Sequence, residues 1–401
     1  MQLSAVEKPV VQSYFSVHLI ACAAFVPTGM VTVLLGPMLP LLGTKWSLND
    51  TQAGYLITAQ FLGALLGTVS SSPLVPRWGF RVSMIAGQVV MALGIVTLFS
   101  NSFVMGAAAI FCYGIGLGLT IPVANLMVAE ASTQWRSSAL NLLNFSWSAG
   151  AVSCPFLLAA FQRTHGTQFF LYAVGLFLVL TAALTALSGV IPAQPHAERA
   201  PVAMQPSYLR HLRNPVAIML GALFFLYVGT ENALGAWLAS YAKRTSEASV
   251  VAWMSVPSYF YGAILLGRAL APLSVRRLGD VKQACFGVLL AGLSSLLLIL
   301  SRSISAIAIC ALFAGLGLST VYPITIAFLS ASFGAQASRI GGALFALSSL
   351  GGASVPWLVG FVSTQSRSLR IALIVPLIGC LAMLLIFVRP QWNQLGTEAS
   401  S

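Results

Sequence analysis

The sequence predicts an all-α polytopic membrane protein, with twelve transmembrane helices arranged as two pseudo-symmetric six-helix bundles. Three observations predict it. Of the 401 residues, 58% are apolar and only 7% are charged, and each bilayer crossing takes about 20 apolar residues. The apolar residues gather into twelve long runs, six on either side of one polar stretch. The second six repeat the first at an offset of about 200 residues.

This composition excludes a soluble enzyme. The net charge of +12 and pI near 9.8 do not point to nucleic acid, because the basic residues stand singly or in pairs between apolar runs; the positive-inside rule accounts for them. The six cysteines, Cys22, Cys112, Cys154, Cys285, Cys310 and Cys380, lie in apolar segments without paired spacing. They read as small hydrophobes, with no metal site, disulfide framework or cofactor.

The first run covers 16–42. Glu7 and Lys8 precede it without a basic cluster, and it continues well past Ala24, so it reads as a first span and not a cleaved signal. Spans follow at 53–75, 82–100, 103–131, 137–162 and 168–192, then at 214–242, 250–274, 284–301, 305–331, 339–363 and 371–388. Between the two sets lies the one long hydrophilic connection, with Pro195, Pro201, Pro206, His196, His211, Arg199, Arg210 and Arg213. The expected organisation is an N-terminal bundle at 1–192, a linker at 193–213 and a C-terminal bundle at 214–401.

An even span number puts both termini on one side. That side carries Lys8, Arg77, Arg81, Arg136, Arg199, Arg210, Arg213, Arg276, Arg277, Lys282, Arg339 and Arg389, against seven basic residues opposite. The termini and linker are therefore expected in the cytoplasm. The repeat aligns Gly63, Ala64, Gly67, Pro73 and Arg77-x-Gly79 with Gly262, Ala263, Gly267, Pro272 and Arg277-x-Gly279, with one residue of slippage. It also sets Gly114, Gly116 and Pro122 opposite Gly315, Gly317 and Pro323, and Gly150 and Pro155 opposite Gly351 and Pro356. Two parallel six-helix repeats are the architecture of a rocking transporter with its site between the halves.

On these residues the whole chain resembles a major facilitator superfamily permease. Leu74-Val75-Pro76-Arg77-Trp78-Gly79-Phe80-Arg81 is similar to that superfamily's loop signature between spans 2 and 3, with Pro76 where the signature has aspartate and Ser72 where it has its first glycine. Arg77, Gly79, Arg81, Arg277 and Gly279 are the expected gating positions; the alternative is a topogenic basic turn. Tyr227 to Trp237, with Ser240-Tyr241, and Leu140 to Asn144 leading to Gly150 resemble the fucose, glucose and galactose permease group, which includes sodium-dependent glucose transporters. That resemblance implies a sugar-like substrate. The fucose permeases' acids in spans 1 and 4 have no counterpart here, since span 1 has no acid and Ile121 takes the span 4 position.

Of eight acids, only Glu231 lies deep in a span. Seventeen residues past Asn214, it sits about 25 Å along span 7 at 1.5 Å per residue. A carboxylate there is costly unless paired, neutral or facing a wet cavity. Glu231 is thus the expected ion-coupling group, with a structural brace as the alternative. Gly229 and Gly235 bracket it, which suggests a break in span 7. Carbohydrate recognition needs amides, hydroxyls and an aromatic face, and Gln60, Asn125, Asn144, Trp147, Glu231, Asn232, Trp237, Tyr259 and Tyr322 are the candidate substrate contacts. Each amide has inter-helix bracing as its alternative, and Trp237 an aromatic belt position. Asn141, Asn144 and Trp147 share one helical stripe. Arg268, the one deep cation, is expected to snorkel or cap carbonyls near the cytoplasmic gate, or to recognise an anionic group on the substrate.

The expectation is a secondary active transporter of a small neutral solute, a sugar first of all, working by alternating access coupled to H+ or Na+. It would be a monomer in the cell's inner membrane, without nucleic acid or cofactor. An exporter of amphipathic, drug-like compounds is the alternative. No nucleophile–base pair or intramembrane metal motif supports an enzyme, and no phosphate-binding loop supports ATP use.

Overall fold

Hydrocarbon offers no water to backbone N–H and C=O groups, so long apolar runs close their own hydrogen bonds as helices. The computed structural model describes residues 7–132, 136–188, 214–389 and 392, and every regular element among them is helical. Side chains at 7–16, 136–137, 272–277, 335 and 338–339 fall outside the description, as does the expected linker. The elements are α1 (Glu7–Val33), α2 (Leu35–Lys45), α3 (Asp50–Thr97), α4 (Phe103–Ala131), α5 (Arg136–Thr164) and α6 (Thr167–Leu187). After the linker come α7 (Pro215–Thr245), α8 (Val250–Leu278), α9 (Asp280–Leu300), α10 (Ile304–Leu318), α11 (Val321–Phe333), a 3-10 turn (Gly334–Gln336), α12 (Ala337–Ser366), α13 (Leu369–Ala372) and α14 (Ile374–Phe387).

Ten helices among the described residues are long and apolar enough to cross a membrane, and the α1–α2 pair, bent by 44°, makes an eleventh crossing. The 48-residue α3 contains two of the expected spans, joined at Gly79. With both counted, the crossings are the twelve expected from the sequence.

Three span breaks coincide with a proline, although Pro27, Pro122, Pro155 and Pro356 sit inside continuous helices. Proline has no N–H to donate to the i−4 carbonyl, and its ring clashes with that carbonyl. Pro37 acts on Val33, where α1 ends; Pro323 acts on Ser319, just past the end of α10; Pro376 acts on Ala372, where α13 ends. The expected break in span 7 does not occur: α7 is one unbroken helix with no proline beyond its first position. Gly229 and Gly235 serve packing instead. A Cβ on Gly229 would strike Val355 on α12, and one on Gly235 would strike the Tyr261 hydroxyl on α8.

The repeat is visible in the backbone. Gly79 (φ 76°, ψ 173°) and Gly279 (φ 74°, ψ 161°) adopt the same left-handed turn, open to glycine without the Cβ clash. Gly116 lies against the Gly87 carbonyl, and Gly317 against the Gly287 carbonyl. Gly150 meets Val26 as Gly351 meets Phe225. Small residues let backbones approach where lipid gives helices no hydrophobic reason to associate.

The chain forms two compact units: Met1–Leu34 with Leu62–Ala200, and Leu35–Phe61 with Pro201–Ser401. In the first, α1 packs on α4, α5 and α6, and a buried cluster including Phe25, Phe80, Met84, Met127 and Leu143 joins α1, α3, α4 and α5. In the second, α7 packs on α12 and also meets α2, α8 and α14, while α9 and α10 close the far side.

Candidate functional site

Helix α7 carries three of the second unit's candidate residues, Glu231, Asn232 and Trp237. Its start is fixed by Asn214, whose Oδ1 accepts from Val216 N at 2.9 Å, with Pro215 at the first helical position. Tyr227 and Glu231 lie one turn apart and so share a face. Tyr227 is buried, Glu231 and Tyr322 are half-buried. Arg268, from α8, donates Nη2 to Tyr227 Oη at 3.2 Å. Having accepted that bond, the hydroxyl keeps its own proton to donate, and the Glu231 carboxylate interacts with it. Tyr322, from α11, is within electrostatic range of both charges, and its ring centroid is 5.5 Å from that of Tyr227. Phe224 closes the aromatic wall edge-on to Tyr322, also at 5.5 Å.

This arrangement corrects one expectation. Glu231 has Arg268 and two tyrosines in its electrostatic surroundings. Arg268 neither snorkels to the membrane edge nor caps carbonyls, because its guanidinium turns inward to Tyr227. The opposite charges, linked through the Tyr227 hydroxyl, offset part of the cost of an acid and a base in hydrocarbon. The Arg268 Nε is buried and has no hydrogen-bond partner among the described residues.

Trp237 is also corrected. It is fully buried, and its Nε1 donates to Pro356 O at 2.9 Å. It is therefore a core bracket between α7 and α12 and not an interfacial-belt residue, and it also lines a cavity of about 250 Å³ with Pro40, Thr44, Ser240 and Lys243. Gln60 is buried and belongs to this unit, while Tyr259 on α8 is 43% exposed. Asn232 donates Nδ2 back to Val228 O of its own helix at 2.8 Å.

In the first unit, Asn125 and Asn144 do the same, to Ile121 O and Leu140 O, each at 2.8 Å. Each asparagine places one Nδ2 donor on the preceding turn of its own helix and keeps its second N–H and its acceptor oxygen for another partner. Asn141 and Asn144 are exposed along the expected stripe, and Trp147, half-buried, donates Nε1 to Thr32 Oγ1 on α1 at 3.3 Å. Among the expected gating positions, Arg77 is exposed, Arg81 half-buried, and Gly79 and Gly279 form the matching turns; the Arg277 side chain lies outside the described residues.

Sequence reasoning missed a second polar cluster. Arg244, at the end of α7, forks onto Asp50 with Nη1–Oδ2 at 2.7 Å and Nη2–Oδ1 at 2.5 Å, and Ser363 donates to Oδ2 at 2.5 Å. Thr51 N and Oγ1 both donate to Thr364 Oγ1 at 2.9 Å. Thr58 donates to Ala353 O at 2.8 Å, and Lys243 to Pro40 O at 3.4 Å. Residues 35–61 are thereby tied to α7 and α12 inside the second unit. The available signal was that Asp50 opens an even-numbered span while Arg244 and Ser363 close odd-numbered ones, which puts all three on one face of the expected topology.

A bundle of membrane-crossing helices built on two repeats, with a balanced acid–base pair deep inside one of them, defines an integral membrane transporter and not an enzyme. The chain belongs to the Major Facilitator Superfamily, whose family model matches residues 21–356. It is 24% identical over 367 residues to a glucose/galactose transporter of Brucella abortus, covering 87% of this chain and 88% of that one. It is 24% identical over 366 residues to the cis,cis-muconate transport protein of Acinetobacter baylyi, covering 86% and 87%. The match to Bypass of stop codon protein 6 of Saccharomyces cerevisiae, 23% identical, covers 63% of this chain and only 55% of that protein. The crystal structure of a D-xylose–proton symporter shares the fold, with a TM-score of 0.78 at 15% identity over 94% of this chain and 97% of that one.

Proposed function

We propose that the protein is a secondary active transporter of a small hydroxylated solute, a sugar or sugar derivative, driven by H+ or Na+ through Glu231. Two six-helix bundles, 1–192 and 214–401, joined by a cytoplasmic linker at 193–213, alternate access in the cell's inner membrane with both termini inside. The observation that carries this reading is Glu231 itself: the one acid deep in a span, set against Arg268, Tyr227 and Tyr322. A carboxylate in hydrocarbon is retained where it serves an ion pathway. The glucose/galactose and muconate relatives, each matched over most of its length, support a cargo of small polar size. The left-over acceptors of Asn125, Asn144 and Asn232 suit a solute that donates hydroxyls.

Counterflow in proteoliposomes tests it, using glucose, galactose, fucose and their acid and polyol derivatives beside hydrophobic dyes. One member of the sugar panel is expected to exchange. Dye transport with no exchange of the panel would replace this reading by the exporter of amphipathic compounds.

A further inference from the structure

We infer that the cargo is an anion, a sugar-sized monocarboxylate, and that Arg268 is the residue that binds its carboxylate. The inference rests on the transport reading above and departs from the neutral cargo that the sequence suggested.

The first observation is the unused capacity of Arg268. A guanidinium presents five N–H donors in a fixed fork that matches a carboxylate with two parallel bonds. Here one donor is taken, by Tyr227 Oη at 3.2 Å, and the buried Nε–H has no acceptor among the described residues. A buried donor left open is costly, and a bidentate carboxylate would fill it. Tyr227 and Tyr322, with ring centroids 5.5 Å apart and planes tilted by 38°, supply two aromatic rings and two hydroxyls beside the charge.

The second observation is independent and lies at the other end of the same unit. A cavity of about 550 Å³ is lined by Arg244, Arg302, Arg367 and Arg370, with Tyr241, Thr245, Ser368 and Leu369, and no acid. Asp50 neutralises Arg244, and Arg370 donates to Ser301 O at 3.3 Å; Arg302 and Arg367 are exposed. The favourable field at a helix C-terminus accounts for Arg244 and Arg367 singly, but not for four arginines converging on one concavity. They run against the positive-inside bias and make an electropositive mouth that concentrates anions.

Charge balance limits the cargo to one negative charge. Against Glu231 the structure sets Tyr227 on its own helix, Arg268 on α8 and Tyr322 on α11. A carboxylate arriving at Arg268 places two negative charges against one positive. One proton taken up as Glu231-COO⁻ becomes Glu231-COOH restores neutrality, and its release on the other side frees the arginine for Glu231 again. One anion and one proton then cross together without net charge movement. A phosphate dianion would leave the site one charge short.

The test uses the full chain in proteoliposomes, comparing counterflow of D-glucuronate with that of D-glucose, which share ring and hydroxyls. Glucuronate is expected to exchange about tenfold faster or more. Arg268→Gln abolishes it, and Arg268→Lys, which keeps the charge and loses the fork, lowers it about tenfold while melting like wild type. The pair Arg302→Gln with Arg367→Gln raises KM several-fold at unchanged maximal rate, an effect that 0.5 M salt removes. Uptake driven by a pH gradient is indifferent to an imposed membrane potential. Glucose exchange exceeding that of glucuronate refutes the anionic cargo and leaves the transport reading standing; exchange of neither refutes both. Glucuronate exchange untouched by Arg268→Gln refutes the assigned residue. Replacing neutral lipid by phosphatidylglycerol separates cargo from headgroup: a KM raised by the anionic lipid assigns the arginine cavity to lipid and overturns its capture role.

Discussion

The Asp50–Arg244 clamp gives the sharpest stability prediction. Asp50→Asn keeps the side chain's size and removes its charge. Two forked bonds, at 2.7 and 2.5 Å, lose their ionic character, and Ser363 loses a carboxylate acceptor. The Arg244 side chain is 50% exposed, so water recovers part of the loss, whereas Asp50 is only 12% exposed. An exposed ion pair contributes about 0.2–1 kcal/mol, and a hydrogen bond to a charged group about 1.5–3 kcal/mol. Together these put the cost of Asp50→Asn near 2 kcal/mol, and that of Arg244→Gln in the same range, because it strands a mostly buried carboxylate. Thermal melting of purified protein in detergent reads both as losses of about 2–4 °C per kcal/mol. Made together, the two substitutions fall short of the sum of the singles by about 1 kcal/mol. Strictly additive losses, or none, would show that the two side chains do not act as a pair and would refute the reasoning.

Three further outcomes follow from the packing. Gly116→Ala and Gly317→Ala each place a Cβ against a facing carbonyl, of Gly87 and Gly287, so both lower stability by about 1–3 kcal/mol; a harmless result at either would break the proposed equivalence of the repeats. Trp237→Phe deletes a buried N–H bond to Pro356 O and costs about 1–3 kcal/mol of stability without changing the affinity for solute, as a KM measurement checks. Asn144→Leu removes an exposed acceptor and weakens solute binding several-fold with little change in melting temperature, whereas a pure loss of stability would assign that residue to structure alone.

Much of the architecture was legible because lipid admits one solution to backbone hydrogen bonding, so the twelve runs follow from apolar length, and the 200-residue repeat from the matched glycines, prolines and arginines. The repeat's glycines lie where helices touch, since small residues let backbones approach. The span breaks were misjudged: glycine was given the weight that Pro37, Pro323 and Pro376 carry. Glu231 and Arg268 each stood out as charges in apolar helices. Their connection through Tyr227 did not, because hydropathy records depth along a helix and not the direction a side chain takes. Trp237 failed for the same reason, being placed by depth alone when its face turns onto α12. The Asp50 clamp escaped notice because charges at span ends are ordinary, and only the fold brings residue 50 to residues 244 and 363.

The central claim, that Glu231 couples the solute to the driving ion, is tested most directly by Glu231→Gln in proteoliposomes loaded with the solute that wild type exchanges. The account predicts that solute-for-solute counterflow persists while accumulation driven by an imposed proton or sodium gradient disappears. A variant that still accumulates solute against its gradient would contradict it.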